Sequence, residues 1–516
     1  MVHSCPVAEV RLAELVAALS LGVDLGFGQP MEHVLRECMI ALRLAERSGL
    51  EEAERSTVYY TALLVNVGCH ADAHEQAKWF GDDIALRSGK YEHDLRSVCA
   101  AAATMSLVGS GNPPLHRFRV GLEFAISGRR DFDGMIARHA AVARGLAERL
   151  GLSAAVQESV GASYEQWDGK GWPGGLAGDR IPVAARLSQF AEFVEVAHRL
   201  GGTGAALELA ERRGGSQFDP KLTAALHGDP EGILGGLDSA QTWSAVIDAE
   251  PALRVTLSGD DFDRALRAIA DFVDLKSPYT LGHARAVEEL AAATAAQLEL
   301  PEDESRLLRR AGLVHDLGRL GVSNAIWDKP GPLGAGEWER VRLHPYLTER
   351  MLHQSPALAP LAEIAVQHRE RLDGSGYPKG LSGGAISGPA RILGAVDAYR
   401  SMREPRPHRP PLSAEQAAAE LEADARAGKL DAEAVAAVLA AAGHTVGRRR
   451  EWPAGLTTRE VDVLRLVARG LSSKQIAAEL VITTKTARNH IEHIYTKIDS
   501  SSRVAASLFA TEHGLL

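Results

Sequence analysis

The sequence predicts an all-α protein built of several units, and three observations carry that expectation. Aromatic residues make up only 5% of the chain, and alanine-rich runs such as 291–296 and 417–419 recur, which favours packed helices over sheets. Hydrophobic positions return at helical spacing along most segments. The length of 516 residues exceeds what a single hydrophobic core holds and points to about three units. Hydrophobic residues at 45% and charged residues at 24% are ordinary for globular proteins, so a disordered chain and a fibrous repeat are excluded as classes.

No stretch reaches the roughly 18 uninterrupted apolar residues of a membrane span. The first thirty residues carry Glu9, Arg11, Glu14 and Asp24 in place of a basic start and an apolar stretch. A cytoplasmic protein without membrane contact is the expectation. Cys5, Cys38, Cys69 and Cys99 show no CxxC spacing, so a zinc ribbon or thioredoxin-type motif is not available and reduced thiols are expected. Charge is uneven: from His444 onward, 11 Lys and Arg face 7 Asp and Glu, a net +4 that leaves −14 for the rest. A basic tail of this kind suits a polyanion such as DNA, or is simply a solvated face.

An internal repeat organises the remainder. Residues 165–187 (EQWDGKGWPGGLAGDRIPVAARL) and 370–392 (ERLDGSGYPKGLSGGAISGPARI) are identical at 11 of 23 positions with a constant offset of 205. The segments LELAERRGGSQFDPKLTAAL and LEADARAGKLDAEAVAAVL that follow both read as helix, turn and helix. Two copies of one helical unit are therefore expected over 1–228 and 262–443, with linkers at 229–261 and 444–454 and a compact tail over 455–516.

The second copy holds a cluster of ligand-type residues among apolar helix positions. His315 and Asp316 follow the apolar run AGLV, and a buried imidazole beside a buried carboxylate is costly unless paired or bound to a metal. His283, His344, His368 and Asp397 lie at the ends of other helices, placed to converge on that pair. Taken singly, each is more often a satisfied core or surface residue than a ligand.

The pieces YTLGH, LVHDLGRLGV, WDKPGPL, RLHPYL, QHRERLDGSGYPKGL and RILGAVDAY occur in this order across the second copy, which resembles the HD-GYP family of metal-dependent phosphohydrolases. The resemblance implies that His283, His315, Asp316, His344, His368 and Asp397 hold two divalent ions, iron or manganese, with Asp316 bridging them. It also implies hydrolysis of a phosphodiester such as cyclic di-GMP, with Asp316 and Arg319 as catalytic residues. Arg319, Arg369, Asp373, Gly374, Gly376, Tyr377 and Pro378 are then expected beside the substrate, although DGSGYP also reads as a tight turn. Two departures from the family pattern stand out. His368 is followed by Arg369 where the family has a second His, and Arg319 stands where it has Lys. Arginine binds phosphate in a bidentate manner but does not donate a proton.

In the first copy the repeat offsets place His33 and His139 at the positions of His283 and His344. His315, Asp316, His368 and Asp397 become Val65, Asn66, Ser163 and Glu192, so metal catalysis is not expected there. A structural partner for the second copy, or a degenerate sensing pocket, is the expected role.

In the tail, Thr457 with Glu460 forms a capping box, Gly470 ends that helix, Ser472 or Ser473 caps a second helix and Thr483 caps a third. Ala487, Ile491, Ile494 and Ile498 define a buried face, leaving Lys485, Arg488, Asn489 and Glu492 outside. The segment resembles the LuxR-type helix-turn-helix, which implies a supporting helix Ser473–Leu480 and a reading helix Thr484–Ile498 in the major groove of double-stranded DNA. Arg488 and Asn489 suit guanine and adenine edges, Lys474, Lys485 and His490 suit phosphates, and Thr484 and Glu492 complete the face. The family often pairs through its last helix, so a homodimer is expected. Taken together, the sequence points to a transcription regulator controlled by a metal- and nucleotide-binding unit. The alternatives are a phosphodiesterase whose tail only localises or dimerises it, and a regulator whose HD units are non-catalytic sensors.

Overall fold

The computed structural model describes residues 9–91, 107–109, 114–124, 129–237, 241–251, 254–444, 452–480, 482–500, 502–513 and 515. Cys5 and Cys99 lie outside them. The fold is all-α, as expected from composition: apart from one two-stranded pair, the described elements are helices. No helix among the described residues is long and apolar enough to cross a membrane.

The chain divides after His444 into two compact units, 1–444 and 445–516. Within the first unit the repeat seen in the sequence returns as repeated structure. Helix His33–Arg47 starts after Glu32 in the left-handed region (φ 79°), and helix His283–Gln297 starts after Gly282 (φ 76°). In both places an aspartate 10 residues upstream accepts the first-turn amide, Asp24 from Val34 at 3.1 Å and Asp274 from Ala284 at 2.9 Å. Helices Glu52–Leu64 and Glu302–Val314 follow, and each runs into a 3-10 turn, Val67–Asp72 and Leu317–Gly321.

Gly68 and Gly318 within those turns sit where a Cβ would lie 2.0 Å from the His139 carbonyl oxygen and 1.9 Å from that of His344. Only glycine lets the turn press onto the next helix at that distance. The glycine-rich loops repeat as well. Glu165 accepts the Gly174 amide at 3.1 Å, and Glu370 accepts the Lys379 and Leu381 amides at 2.7 and 2.9 Å, so a buried carboxylate ties each loop in place.

The copies are not separate globules. One hydrophobic core runs from Val10 to Ala365, mixing Leu19, Leu21 and Val23 with Leu313, Leu317, Leu320, Met351 and Leu352. Gly22 in helix Leu12–Gly26 brings the first copy's backbone within reach of Leu320 and Met351. The segments Val10–Arg11 and Thr256–Leu257 pair antiparallel and tie the two halves at their starts. A smaller core around Leu393, Val396, Leu421 and Val438 completes the second copy.

Candidate functional site

Five local structures deliver the six candidate ligands to one point. His283 and His344 are first residues of their helices, where the chain turns inward. His315 and Asp316 occupy the corner between helix Glu302–Val314 and its 3-10 turn. His368 lies in the 3-10 turn Val366–Arg369, and Asp397 in the middle of helix Gly388–Arg403. That helix crosses closely because Gly394 lies against the His368 carbonyl, where a Cβ would be 3.0 Å away.

All six side chains are at most 3% exposed. The imidazoles are oriented by their outer nitrogens. Nδ1 of His315, His344 and His368 faces the carbonyls of Gly312, Val341 and Ala365 at 2.7, 2.6 and 2.6 Å, and Nδ1 of His283 faces the Glu404 carboxylate at 2.9 Å. Such bonds place the proton on Nδ1 and turn the Nε2 lone pair inward.

Asp316 stands between two groups. Its Oδ2 is 3.9 Å from His283 Nε2 and 3.6 Å from His315 Nε2, while its Oδ1 is 3.5 Å from His344 Nε2 and 3.8 Å from His368 Nε2. Asp397 Oδ1 lies 3.3 Å from His283 Nε2 and 3.8 Å from His315 Nε2. Nε2 of His283 and His315 and Oδ1 of Asp316 are buried without a hydrogen-bond partner. Acceptors aimed at one another in a dry interior repel unless a cation lies among them, so this donor set fits divalent metal ions.

The electrostatics agree. Burial opposes ionisation of Asp316, but His315 and Arg319 outweigh it and hold the carboxyl well below its usual range. Asp397 is held down likewise, with Arg369 the largest opposing influence. Burial pushes His344 down to about 4, which keeps it neutral. It also opposes the charge on His283, but Asp397 and Glu404 override it and raise the imidazole to about 9, so without a metal this ring takes up a proton at Nε2 that a bound cation would displace.

A cavity of about 700 Å³ opens beside these groups. Of the residues expected near a substrate, Arg319, Arg369 and Tyr377 line it, together with His344. Asp373, Gly374, Gly376 and Pro378 are not part of its lining. Asp373 is exposed and accepts from the Ser375 amide and hydroxyl at 3.0 and 2.7 Å, and Gly376 sits where a Cβ would be 2.4 Å from the Arg371 nitrogen. These residues shape the turn that presents Tyr377.

Arg319 is clamped between Asp316 Oδ2 at 3.0 Å and the face of Trp327 at 4.1 Å. Arg369, in the place of the family's second histidine, reaches Asp397 Oδ2 at 3.2 Å. The sequence reading missed Glu404, Trp327, Arg406 and Arg409. The basic, proline-containing run EPRPHRPP directly after the Asp397 helix was the available signal for Glu404 and the two arginines. Trp327 opens the motif WDKPGPL but carries no assigned role there, and the helix Asn324–Trp327 brings it to the cavity wall.

The comparisons with known proteins agree with this geometry. Residues 132–222 and 267–434 match the HD domain family, and residues 454–510 match the luxR family of bacterial regulatory proteins. The 3'3'-cGAMP-specific phosphodiesterase 3 of Vibrio cholerae is 31% identical over 416 residues, covering 80% of this chain and 90% of that protein. The chain belongs to the HD-domain family, of the HD-GYP type, and carries a luxR-family domain. A crystal structure of a cyclic GMP-AMP specific phosphodiesterase of V. cholerae (V-cGAP3) superposes on the HD-GYP protein with a TM-score of 0.59 at 28% identity, covering 84% of this chain and 98% of that one. Cyclic di-GMP phosphodiesterase PA4108 of Pseudomonas aeruginosa is 39% identical over 153 residues, 29% of this chain and 37% of that protein.

The luxR-type unit of the HD-GYP protein has the expected helices. Thr457 and Glu460 form the reciprocal cap of Thr458–Ala468, Ser472 with Gln475 caps Ser473–Glu479, and Thr483 accepts the Thr486 amide at 3.0 Å to start Thr484–Lys497. Ala487 and Ile494 are fully buried, and Ile491 and Ile498 half-buried, as the spacing required. Lys474, Thr484, Lys485, Arg488, Asn489 and Glu492 are exposed and His490 is half-buried. The last helix spans Arg503–Glu512.

Proposed function

We propose that this chain is a DNA-binding regulator whose second HD-GYP copy binds two divalent metal ions and hydrolyses a cyclic dinucleotide. In this reading 1–228 and 262–443 are the two copies and 455–516 the DNA-binding domain. The observation that supports it most is the convergence of buried Nε2 and carboxylate acceptors without hydrogen-bond partners beside a cavity rich in arginine. His283, His315 and Asp397 would hold one ion, His344 and His368 the other, and Asp316 both, with iron or manganese suited to this mixed nitrogen and oxygen set. When bound, the ions supply an activated water and offset phosphate charge.

The chain's own residues do the rest. Arg319, fixed by Asp316 and Trp327, presents a rigid fork to a phosphate, and Arg369 adds fixed positive charge at the mouth of the centre. Arg406 and Arg409 face the same cavity, which suits a ligand carrying two phosphates, and Trp327 and Tyr377 offer ring faces to its bases. None of these arginines can give up a proton, so leaving-group protonation falls to another group lining the cavity, such as Tyr377 or His408, or to solvent. The names of the relatives point to 3'3'-cGAMP and cyclic di-GMP as substrates to assay.

The test is turnover of both dinucleotides by manganese- or iron-loaded protein and by Asp316→Ala. Hydrolysis by the first and not the second supports the proposal. Tight binding without turnover supports a second reading, a non-catalytic sensor, which the replacement of a family ligand by Arg369 favours. In this reading the chain works as a cytoplasmic homodimer, and loss of duplex DNA binding on changing Arg488, with dinucleotide turnover intact, assigns the regulatory half to the tail unit.

A further inference from the structure

The repeat offsets put His33, Val65, Asn66 and Glu192 of the first copy at the positions of His283, His315, Asp316 and Asp397. In the second copy Nε2 of His283 and His315 and a carboxylate oxygen of Asp397 lie within 4.8 Å of one another, with Asp316 beside them. The first copy does not offer that donor set. Val65 supplies no donor, and Asn66 trades a carboxylate for a neutral amide.

A cation belonging to the chain stands among these groups instead. Lys90, in the 3-10 turn Gly89–Tyr91, donates from its ammonium to Asn66 Oδ1 at 2.8 Å and pairs with the Glu192 carboxylate. One positive group therefore touches the counterparts of both Asp316 and Asp397. Asn66 turns its other end to the same carboxylate, with Nδ2 donating to Glu192 Oε1 at 2.6 Å. Tyr91 Oη donates to that oxygen at 2.9 Å and lies 3.4 Å from His33 Nε2, so the inward nitrogen of this histidine meets a phenol. Nδ1 of His33 faces Glu195, which has its own cations in Arg36 at 2.8 Å and Arg199 at 3.2 Å.

The ammonium is enclosed on its remaining sides. The ring centres of Phe27 and Tyr91 lie 4.6 and 5.0 Å from Lys90 Nζ, and the lysine side chain is 11% exposed. Aromatic faces stabilise an ammonium that water no longer reaches. The charges also balance. Burial opposes ionisation of Glu192, but Lys90 and Asn66 outweigh it and hold the carboxyl below its usual range. Glu37, buried with neither carboxylate oxygen bonded, is pushed well above its usual range by burial and by Glu192, so it stays protonated and adds no charge. A divalent ion entering here would meet an ammonium already bonded to the groups it needs.

We propose that the Lys90 ammonium stands in for a metal ion between Asn66 and Glu192 and is the group that excludes divalent metal from the first copy. The first copy then keeps its fold, and its hold on the second, whatever the metal supply. This assignment holds whether or not the second copy is catalytic.

The test is the manganese content of the full-length chain, read by elemental analysis after metal-depleted protein is incubated with manganese chloride and gel-filtered, with circular dichroism to establish folding. Wild type and Asn66→Asp are expected to hold equal amounts, because restoring the carboxylate leaves Lys90 in place. Asn66→Asp combined with Lys90→Ala is expected to hold about one equivalent more, since a carboxylate pair and an imidazole are then open to the ion. A folded double variant without added manganese, or Asn66→Asp alone gaining as much as the double variant, overturns the proposal. Should the double variant not fold, thermal unfolding of the metal-free protein decides. Lys90→Met and Glu192→Gln are each expected to lower the transition temperature by stranding the other's charge, and together to lower it by less than the sum of the two shifts. Additive shifts overturn the proposal.

Discussion

At the scale of single residues, the candidate metal centre depends on atoms outside its six candidate ligands. Gly318 lets its turn touch the His344 backbone, and that contact places Asp316 Oδ1 against His344 and His368. Gly318→Ala is expected to destabilise the first unit by at least about 2 kcal/mol and to lower bound metal, because backbone must move to admit the methyl group. Urea unfolding and elemental analysis of the purified variant check both.

Asp24 makes a pH-dependent contribution. Burial raises its carboxyl from 3.8 to about 7, with His33 and the Val34 amide acting against it. The unfolded chain therefore releases this proton at lower pH than the folded one, so stability falls as pH rises between about 4 and 7 and levels off above. Asp24→Asn is expected to match the wild type near pH 4 and to exceed it by on the order of 2 to 4 kcal/mol at pH 8. Equal stability differences at pH 4 and pH 8 would show that Asp24 titrates in the ordinary range.

At the scale of elements, helix Thr484–Lys497 separates folding from recognition along one amphipathic pattern. Ile494 is fully buried, so Ile494→Ala is expected to cost about 2 to 5 kcal/mol and unfold the small unit. Arg488→Ala is expected to leave the fold intact, cost about 1 to 3 kcal/mol of DNA affinity and relax preference at one or two base pairs. Lys485→Ala is expected to weaken binding to all sequences and make the salt dependence shallower by about one ion. Circular dichroism and binding titrations at two salt concentrations distinguish the three.

At the scale of the whole molecule, the degenerate copy supports the intact one. Asp83 of the first copy accepts from Ser323 Oγ at 2.6 Å and the Asn324 amide at 2.8 Å, and is paired with Arg87 and Lys276. It thereby anchors the helix that carries Trp327 into the cavity. His74 holds the cavity residue Asp328 at 2.9 Å from the same side. Asp83→Ala leaves two buried cations without their carboxylate and is expected to cost about 3 to 5 kcal/mol. Saturation with manganese, at about a hundred times its dissociation constant, is expected to stabilise the first unit by about 3 kcal/mol. The transition of residues 445–516 is expected not to shift, and differential scanning calorimetry with and without metal reads both.

The all-α class and the duplication were legible in the chain because each rests on local pattern, helical spacing and a constant offset, and four histidines and Asp316 do lie at helix ends, whereas Asp397, expected at a helix end, reaches the site from the middle of its helix. The caps of the small unit were legible for the same reason, since a side chain reaching its own backbone three residues on needs no distant partner. Other features came only from tertiary packing. The copies share one core across Gly22, Leu320 and Met351, which no repeat boundary reveals. Asp373, Gly374, Gly376 and Pro378 shape a turn while Tyr377 alone of that loop faces the cavity, because a glycine-rich motif specifies backbone shape and not which side chain turns inward. Glu404 and Lys90 meet His283 and Glu192 across more than a hundred residues of chain. Whether a buried charge is a ligand, a plug or a wall depends on what the fold sets opposite it, and that pairing is decided in three dimensions.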